Sequence, residues 1–272
     1  MAAWAEREPS VTALVLIGSQ TRSTKDSIWH PDAQSDWDFQ IVTSNPQMFF
    51  DSNWTKGLKG AEIRAYAVRE ARLGDVPKIN AVFADVEADF VLLPLERLEQ
   101  LRQATDLGQH RLAGEVRRNL QSLAIVIRPG WHFLKGAKIW EPFYQSIISE
   151  VPDARMDDVA VRSIAEGFVC DYVWALRKLE RGELLAVQRM LHRELVEVNF
   201  KLMHELKLRR DERSFPEARR IELVTNQKEL MSLSVSSSPD AHALKTALKH
   251  AADTQRSLVN LLLGASWHWP RI

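Results

Sequence analysis

The sequence lacks several features that mark common classes of protein. Its 272 residues include one cysteine, Cys170, which excludes an intrachain disulfide and a thiolate cluster for zinc. Lysine plus arginine equals aspartate plus glutamate, 36 each, so the basic excess typical of nucleic-acid binding is missing. No apolar run reaches the roughly 18 residues of a membrane span. We therefore expect a cytoplasmic protein without a membrane partner, and a nucleic-acid partner is disfavoured.

Familiar catalytic motifs are also missing. The sequence contains no P-loop, no G-x-S-x-G elbow and no G-x-G-x-x-G turn. Its eight histidines show no H-E-x-x-H pair or other zinc-ligand spacing. Zinc-dependent hydrolysis and the most widespread nucleotide-binding loops are thus disfavoured.

The first half of the chain mixes strand-like runs with turns. The run VTALVLI at residues 11–17 is continuously apolar and ends at Gly18, which is typical of a strand buried on both faces. Residues 38–43 (DFQIVT) and 89–93 (DFVLL) predict two further strands, each followed by a proline within three residues. Residues 122–128 (SLAIVIR) are a candidate fourth strand, stopped by a Pro-Gly pair.

The second half has a helical period. Apolar residues recur at steps of three and four from residue 158 to about residue 208, with an interruption at Arg181 and Gly182. This pattern predicts two long amphipathic helices joined by a tight turn. A further helix is expected from Ser238, as the capping residue, to about Leu263, with Gly264 as its stop signal.

Together these patterns predict an α+β protein of two domains. We place a mixed sheet with flanking helices in residues 1–135 and an all-helical bundle in residues 136–272. The cysteine lies in an apolar-periodic run, so we expect it to be buried. The sequence carries no signal for an oligomeric state.

Polar residues at the ends of the predicted strands indicate a site for a divalent cation. Asp36 and Asp38 are two residues apart, so on a strand their carboxylates project from the same face, while Trp37 between them should face the core. Two adjacent carboxylates repel each other unless a cation lies between them, and Mg2+ bound to substrate phosphates accepts one or two protein carboxylates. Asp89 opens the next strong strand. If the two strands are neighbours, three carboxylates converge at one sheet edge.

Gly18 and Ser19 complete the pattern, because a glycine turn after a strand can direct backbone N–H groups and a hydroxyl at a phosphate. The order Gly18-Ser19, Asp36-x-Asp38 and then Asp89 leading DFVLLPLERL resembles the aminoglycoside 6-adenylyltransferases (streptomycin adenylyltransferases) of the polymerase-beta-like nucleotidyltransferase superfamily. RGELLAVQRMLHREL at residues 181–195 is similar to that family's second long helix.

The resemblance implies an antibiotic-resistance type of activity, the transfer of AMP from Mg-ATP to a hydroxyl of a small, aminoglycoside-like acceptor. In this reading Gly18 and Ser19 bind the triphosphate. Asp36, Asp38 and Asp89 bind Mg2+, and Asp89 is also the base that activates the acceptor hydroxyl. Catalysis would come mainly from positioning and from charge neutralisation.

The sequence departs from the family pattern at Gln20, where an arginine usually follows the glycine-serine pair. Arg22 or Lys25 in the same loop, and Arg177 and Lys178 in the helical half, are candidates for the missing positive charge on the triphosphate. Two alternatives to the leading hypothesis remain open. One is nucleotidyl transfer to a protein side chain or another metabolite. The other is a non-catalytic descendant that binds nucleotide or a partner protein. Alternative bases are Glu166 and Glu183.

Overall fold

The chain divides into two compact units. A computed structural model describes residues 1–22, 28, 31–32, 34–71, 76–108 and 114–271. The first unit is Met1–Ala154 and the second is Arg155–Ile272. The boundary therefore lies later than the predicted 135/136 division. The cause is the helix Ala137–Glu150, whose Trp140, Phe143, Tyr144 and Ile147 are buried against the sheet of the first unit.

The first unit is built on a six-stranded mixed sheet with the strand order β3-β4-β5-β2-β1-β6. Only the β2–β5 pair is parallel among the pairs described. Its elements in chain order are α1 (Ala2–Arg7), β1 (Val11–Ile17), β2 (Trp37–Thr43), β3 (Ile63–Glu70), β4 (Pro77–Phe83), β5 (Glu87–Pro94), α2 (Leu95–Asp106), α3 (Glu115–Ile127), β6 (Trp131–Lys135) and α4 (Ala137–Glu150). Short 3-10 turns cover Ser19–Thr21, Pro46–Phe49 and Ser52–Gly57.

Each face of this sheet carries its own apolar core. Ala13, Val15 and Ile17 of β1 pack with α2, α3 and α4 on one face. The alternate residues of the strands pack on the other face with α1 and the 3-10 turns, through Trp4, Phe49 and Trp54. Both faces of β1 are covered, so the continuous apolar run predicts its position correctly.

The expected strand at residues 122–128 is wrong, because residues 122–127 belong to α3 and Arg128 is its C-cap. Leu120, Leu123, Ala124 and Ile127 are buried on one side of that helix, at helical spacing. The β-branched residues Ile125, Val126 and Ile127 made a helix look like a strand. In contrast, β3, β4 and β6 were not predicted.

The fold as a whole is α+β as expected, and the second unit is all-helical. The second unit contains α5 (Asp158–Glu180), α6 (Leu184–Met190), a turn with π-type hydrogen bonds (Leu191–Val196), α7 (Glu197–Arg209), α8 (Ile221–Val224), α9 (Gln227–Leu233) and α10 (Ala241–Leu263), with 3-10 turns at Pro216–Ala218 and Gly264–Ser266. The two long helices predicted between residues 158 and 208 are confirmed, with the turn at Arg181 and Gly182.

Three details of the helical unit refine the predictions. Asp240, not Ser238, caps α10, because its side chain accepts a hydrogen bond from the Ala243 N–H, while Gly264 ends the helix as expected. The expectation that Cys170 is buried is wrong, since the thiol lies on an exposed side of α5. In the part of the chain that the structure describes, no helix is long and apolar enough to cross a membrane.

Candidate functional site

Two of the predicted aspartates lie side by side on neighbouring central strands of the sheet. β2 and β5 run parallel, and their register pairs Asp38 with Asp89. Asp38 is the second residue of β2, and Asp89 is the third residue of β5. Since neighbouring strands lie about 4.8 Å apart, this register brings the two carboxylates close together at the edge where both strands begin.

Asp36 completes a group of three carboxylates. One ligand oxygen from each of Asp36, Asp38 and Asp89 lies within 4.8 Å of the other two, and all three residues are partly buried. Hard divalent cations bind to such sets of carboxylate oxygens, and three like charges at this separation favour a cation between them. The donor set therefore fits Mg2+, as the strand pattern predicted.

Gly18 lies directly against this group. Its backbone adopts φ 75° and ψ −153°, a conformation that is essentially restricted to glycine. A Cβ atom at this position would overlap with Asp38, whose Oδ2 would be 2.2 Å away. The absence of a side chain at residue 18 thus keeps open the space that the Asp38 carboxylate occupies.

The 3-10 turn after Gly18 presents one hydroxyl without a local partner. Ser19 Oγ is buried, and among the described residues it has no hydrogen-bond partner. Thr21 Oγ1, in contrast, donates to the Gly18 carbonyl at 2.8 Å. Ser19 Oγ is therefore a buried hydroxyl of this turn that lacks a protein partner within the described part of the chain.

Gln20 stands where the family pattern has arginine, and it has a structural contact. Its side-chain Nε2 donates to the carbonyl oxygen of Ser35 at 3.3 Å, immediately before Asp36. This hydrogen bond ties the turn after β1 to the segment that carries the first aspartate. A neutral amide at this position can hold Asp36 in place but supplies no charge to a triphosphate.

Two residues of β4 contact the third aspartate, and sequence reasoning did not find them. Asn80 is paired with Asp89 in the antiparallel β4–β5 register, and its Nδ2 donates to Asp89 Oδ1. Lys78, two residues earlier on the same face, places its Nζ 2.5 Å from Asp89 Oδ2. Both oxygens of the Asp89 carboxylate therefore accept from β4. The only signal for these residues was their spacing on a strand that the sequence did not predict.

Trp37 does not face the core as predicted. It is 40% exposed and lies parallel to Phe39, with ring centroids 6.3 Å apart. Together with Phe39 and Phe90 it lines an apolar groove of about 440 Å3 on the face of the sheet opposite Asp38 and Asp89. The alternation of side chains along β2 was predicted correctly, but not the solvent exposure of its first residue.

The candidate cations lie in different places. Arg22 is partly buried at the end of the Ser19–Thr21 turn, in the same unit as the aspartates, whereas Lys25 lies outside the described residues. Arg177 and Lys178 belong to α5 of the second unit. Lys178 Nζ donates to Glu183 Oε2 at 2.6 Å, and this hydrogen bond lowers the pKa of Glu183. The contribution of these three described cations to phosphate binding stays a prediction.

Comparisons with solved structures return remote likenesses, of which two are described below. An aminoglycoside 6-adenyltransferase from Bacillus subtilis has a TM-score of 0.41 and 13% identity, with 98% of this chain and 89% of that chain covered. A nucleotidyltransferase-like protein from Exiguobacterium sibiricum 255-15 has a TM-score of 0.36 and 11% identity, with 96% and 73% covered. No protein-family model and no curated protein sequence matches the chain. The likenesses are too remote to carry a functional assignment, which depends on the site itself.

Proposed function

We propose that this chain is a metal-dependent nucleotidyltransferase that moves AMP from Mg-ATP to a hydroxyl of a small, aminoglycoside-like acceptor. The observation that carries the proposal is the group of Asp36, Asp38 and Asp89, whose ligand oxygens lie within 4.8 Å of one another. A cation that neutralises both the carboxylates and a triphosphate explains why three acidic residues are kept together. The neighbouring glycine-serine turn supports the same assignment.

Each residue of the site has a distinct task in this proposal. Asp36, Asp38 and Asp89 hold Mg2+, which when bound neutralises phosphate charge and orients the triphosphate. The buried Ser19 hydroxyl and the backbone of Gly18 bind phosphate oxygens, since within the described chain Ser19 Oγ has no other partner. Arg22 adds a positive charge at the end of the same turn. The proposal also includes Arg177 and Lys178 as further nucleotide-binding cations.

The reaction is an in-line displacement at the α-phosphorus of ATP. The acceptor hydroxyl oxygen forms a bond to phosphorus, the bond from phosphorus to the bridging oxygen breaks, and pyrophosphate leaves. The hydroxyl proton passes to the Asp89 carboxylate, which Asn80 orients. Most of the rate enhancement comes from alignment of the two substrates and from electrostatic stabilisation.

An aminoglycoside-like acceptor is favoured by an acidic residue beside the triad. Glu87 lies two residues before Asp89 on β5, so both side chains project from the same face of the strand. Glu87 is exposed, and its carboxylate can pair with an ammonium group of a polycationic acceptor. A neutral acceptor would not need this charge.

The proposal is tested by pyrophosphate release. The full-length protein is incubated with Mg2+, each nucleoside triphosphate in turn and a panel of acceptors that includes aminoglycosides, neutral sugars, small metabolites and proteins. We expect ATP with a polycationic acceptor to be the productive combination, and Asp36→Asn and Asp38→Asn to abolish it. Asp106→Asn, an exposed aspartate at the end of α2, is the matched control and should keep wild-type turnover.

The same assay separates the alternatives. Turnover only with a protein or another metabolite keeps nucleotidyl transfer but rejects the acceptor class. Nucleotide binding without pyrophosphate release from any acceptor favours the non-catalytic alternative. Turnover that persists in Asp36→Asn and Asp38→Asn would rule out the triad as the catalytic metal site.

A further inference from the structure

Both oxygens of the Asp89 carboxylate are engaged by residues of β4. Asn80 Nδ2 donates to Oδ1, and Lys78 Nζ forms an ion pair with Oδ2 at 2.5 Å. The Lys78 side chain is 31% exposed and that of Asp89 is 18% exposed, so the pair is partly shielded from solvent. The Lys78 ammonium thus already supplies a positive charge at the Asp89 carboxylate.

This ammonium conflicts with a divalent cation. Mg2+ bound by the triad needs an oxygen of Asp89, and a unit positive charge at hydrogen-bond distance from the same carboxylate repels it. An amide such as Asn80 carries no net charge, so it can keep its hydrogen bond to Oδ1 while the metal binds. Of the two β4 residues, only Lys78 must move away from Asp89 when the metal binds.

A lysine side chain can change its hydrogen-bond partner without leaving the site. Its ammonium is on a flexible four-carbon stem with three donors, so it can turn from one oxygen to another nearby. The oxygens of a triphosphate bound at the triad would offer this ammonium new acceptors. The negative charge of the triphosphate also replaces that of the Asp89 carboxylate as the partner of Lys78.

We infer that Lys78 is a displaceable cation of the triad: it neutralises Asp89 while the metal is absent and moves to the triphosphate oxygens when Mg-ATP enters. This inference rests on the proposed function, because it requires a metal and a triphosphate at the site. Lys78 is then a nucleotide-binding residue that weakens the binding of free Mg2+ and strengthens the binding of Mg-nucleotide.

The test compares Lys78→Met with wild type by titration calorimetry. Mg2+ is titrated alone and then, at saturating Mg2+, α,β-methylene-ATP is titrated. We expect the variant to bind Mg2+ alone about three- to tenfold more tightly, the scale of removing one partly shielded charge, and the analogue about tenfold more weakly. Lys138→Met, at an exposed lysine of α4, is the matched control and should change neither affinity.

A lysine with a merely structural role would not produce changes of opposite sign. If Lys78→Met binds Mg2+ no more tightly than wild type, or binds the analogue equally well, the inference is overturned. Wild-type protein provides a second measurement that does not depend on the variant's folding. Amine labelling of Lys78, read by mass spectrometry against Lys138, should rise on addition of Mg2+ and fall again with the analogue; unchanged labelling would also overturn it.

The design distinguishes failure of the inference from failure of the proposed function. If wild type, Asp36→Asn and Asp38→Asn bind Mg2+ equally weakly, the triad is not a metal site and both proposals fail. If wild type binds Mg2+ through the triad and Lys78→Met behaves as wild type, only the role of Lys78 is rejected.

Discussion

Gly18→Ala should damage the site through two separable effects. The alanine must adopt φ 75° and ψ −153°, which costs a non-glycine residue about 1–3 kcal/mol. Its Cβ would also lie 2.2 Å from Asp38 Oδ2 and 2.9 Å from Asp38 Cβ, far inside van der Waals contact. Because the Asp38 Cβ is anchored in β2, rotation of the carboxylate alone cannot relieve the overlap. The turn or the strand must shift.

The expected result is a loss of metal binding that exceeds the loss of stability. Urea denaturation should show a decrease in the free energy of unfolding of about 1–3 kcal/mol from the backbone conformation alone. Mg2+ affinity, measured by calorimetry on the folded protein, should fall by about 10- to 100-fold, the scale seen when residues that orient metal ligands are altered.

Gly60→Ala separates the two effects. Gly60 has φ +77°, and among the described residues no heavy atom lies within 4 Å of the position of an added Cβ. This variant should lose stability through strain while its Mg2+ affinity stays at the wild-type value. Wild-type Mg2+ affinity in Gly18→Ala, or an equal loss in Gly60→Ala, would refute the link between Gly18 and the Asp38 carboxylate.

Three further predictions concern single side chains. The buried Tyr144 hydroxyl donates to Gln40 Oε1 at 2.9 Å, so Tyr144→Phe should cost about 1–3 kcal/mol by urea denaturation, the price of an unsatisfied buried acceptor; an unchanged midpoint would contradict this. Burial alone would raise the pKa of Glu229, but hydrogen bonds from Lys207 and the Asn226 N–H lower it below the usual 4.5. The stabilising contribution of Glu229 is therefore present above pH 4.5 and lost as the pH falls through the lowered pKa. In a pH series of denaturation experiments, the free energy of unfolding of Glu229→Gln should therefore fall less steeply in acid than that of wild type. Parallel curves for the two proteins would refute this prediction. Asp89→Asn should keep much of its binding of α,β-methylene-ATP while single-turnover transfer falls by about 100-fold, and near-wild-type transfer would exclude Asp89 as the base.

The triad could be predicted from sequence because its geometry depends on local patterns. The apolar runs at residues 11–17, 38–43 and 89–93 identified three strands, and the polar residue at the start of the last two fixed which end carries charge. Asp38 and Asp89 then meet because β2 and β5 are parallel with both residues in register. That neighbour relation was a hypothesis in the sequence, and the structure confirms it.

The missed strands differ in how much of the expected pattern they carry. β3 is an edge strand with no fully buried residue, and its sequence IRAYAVRE carries little apolar alternation. β4 does alternate, since buried Ile79, Ala81 and Phe83 are separated by residues of intermediate exposure, and this signal was overlooked. In α3 the error was the reverse, because a consecutive run of β-branched residues in a helix looked like a strand. Weak burial therefore accounts for β3, and ambiguous propensity accounts for α3.

The environment of Asp89 depends on one of those missed strands, and it changes what the aspartate can do. A carboxylate oxygen accepts two hydrogen bonds, so Oδ1 and Oδ2 each keep one acceptor site beside Asn80 and Lys78. Asn80, which can keep its hydrogen bond to Oδ1 when the metal binds, holds the carboxylate in the orientation of a base that takes a proton from one direction. The two donors also make Asp89→Asn more than a loss of basicity, since the new amide must direct its N–H groups at either the Asn80 amide or the Lys78 ammonium. Loss of transfer in Asp89→Asn therefore supports a base only if Lys78→Met, which removes the ammonium but keeps the carboxylate, retains measurably faster transfer.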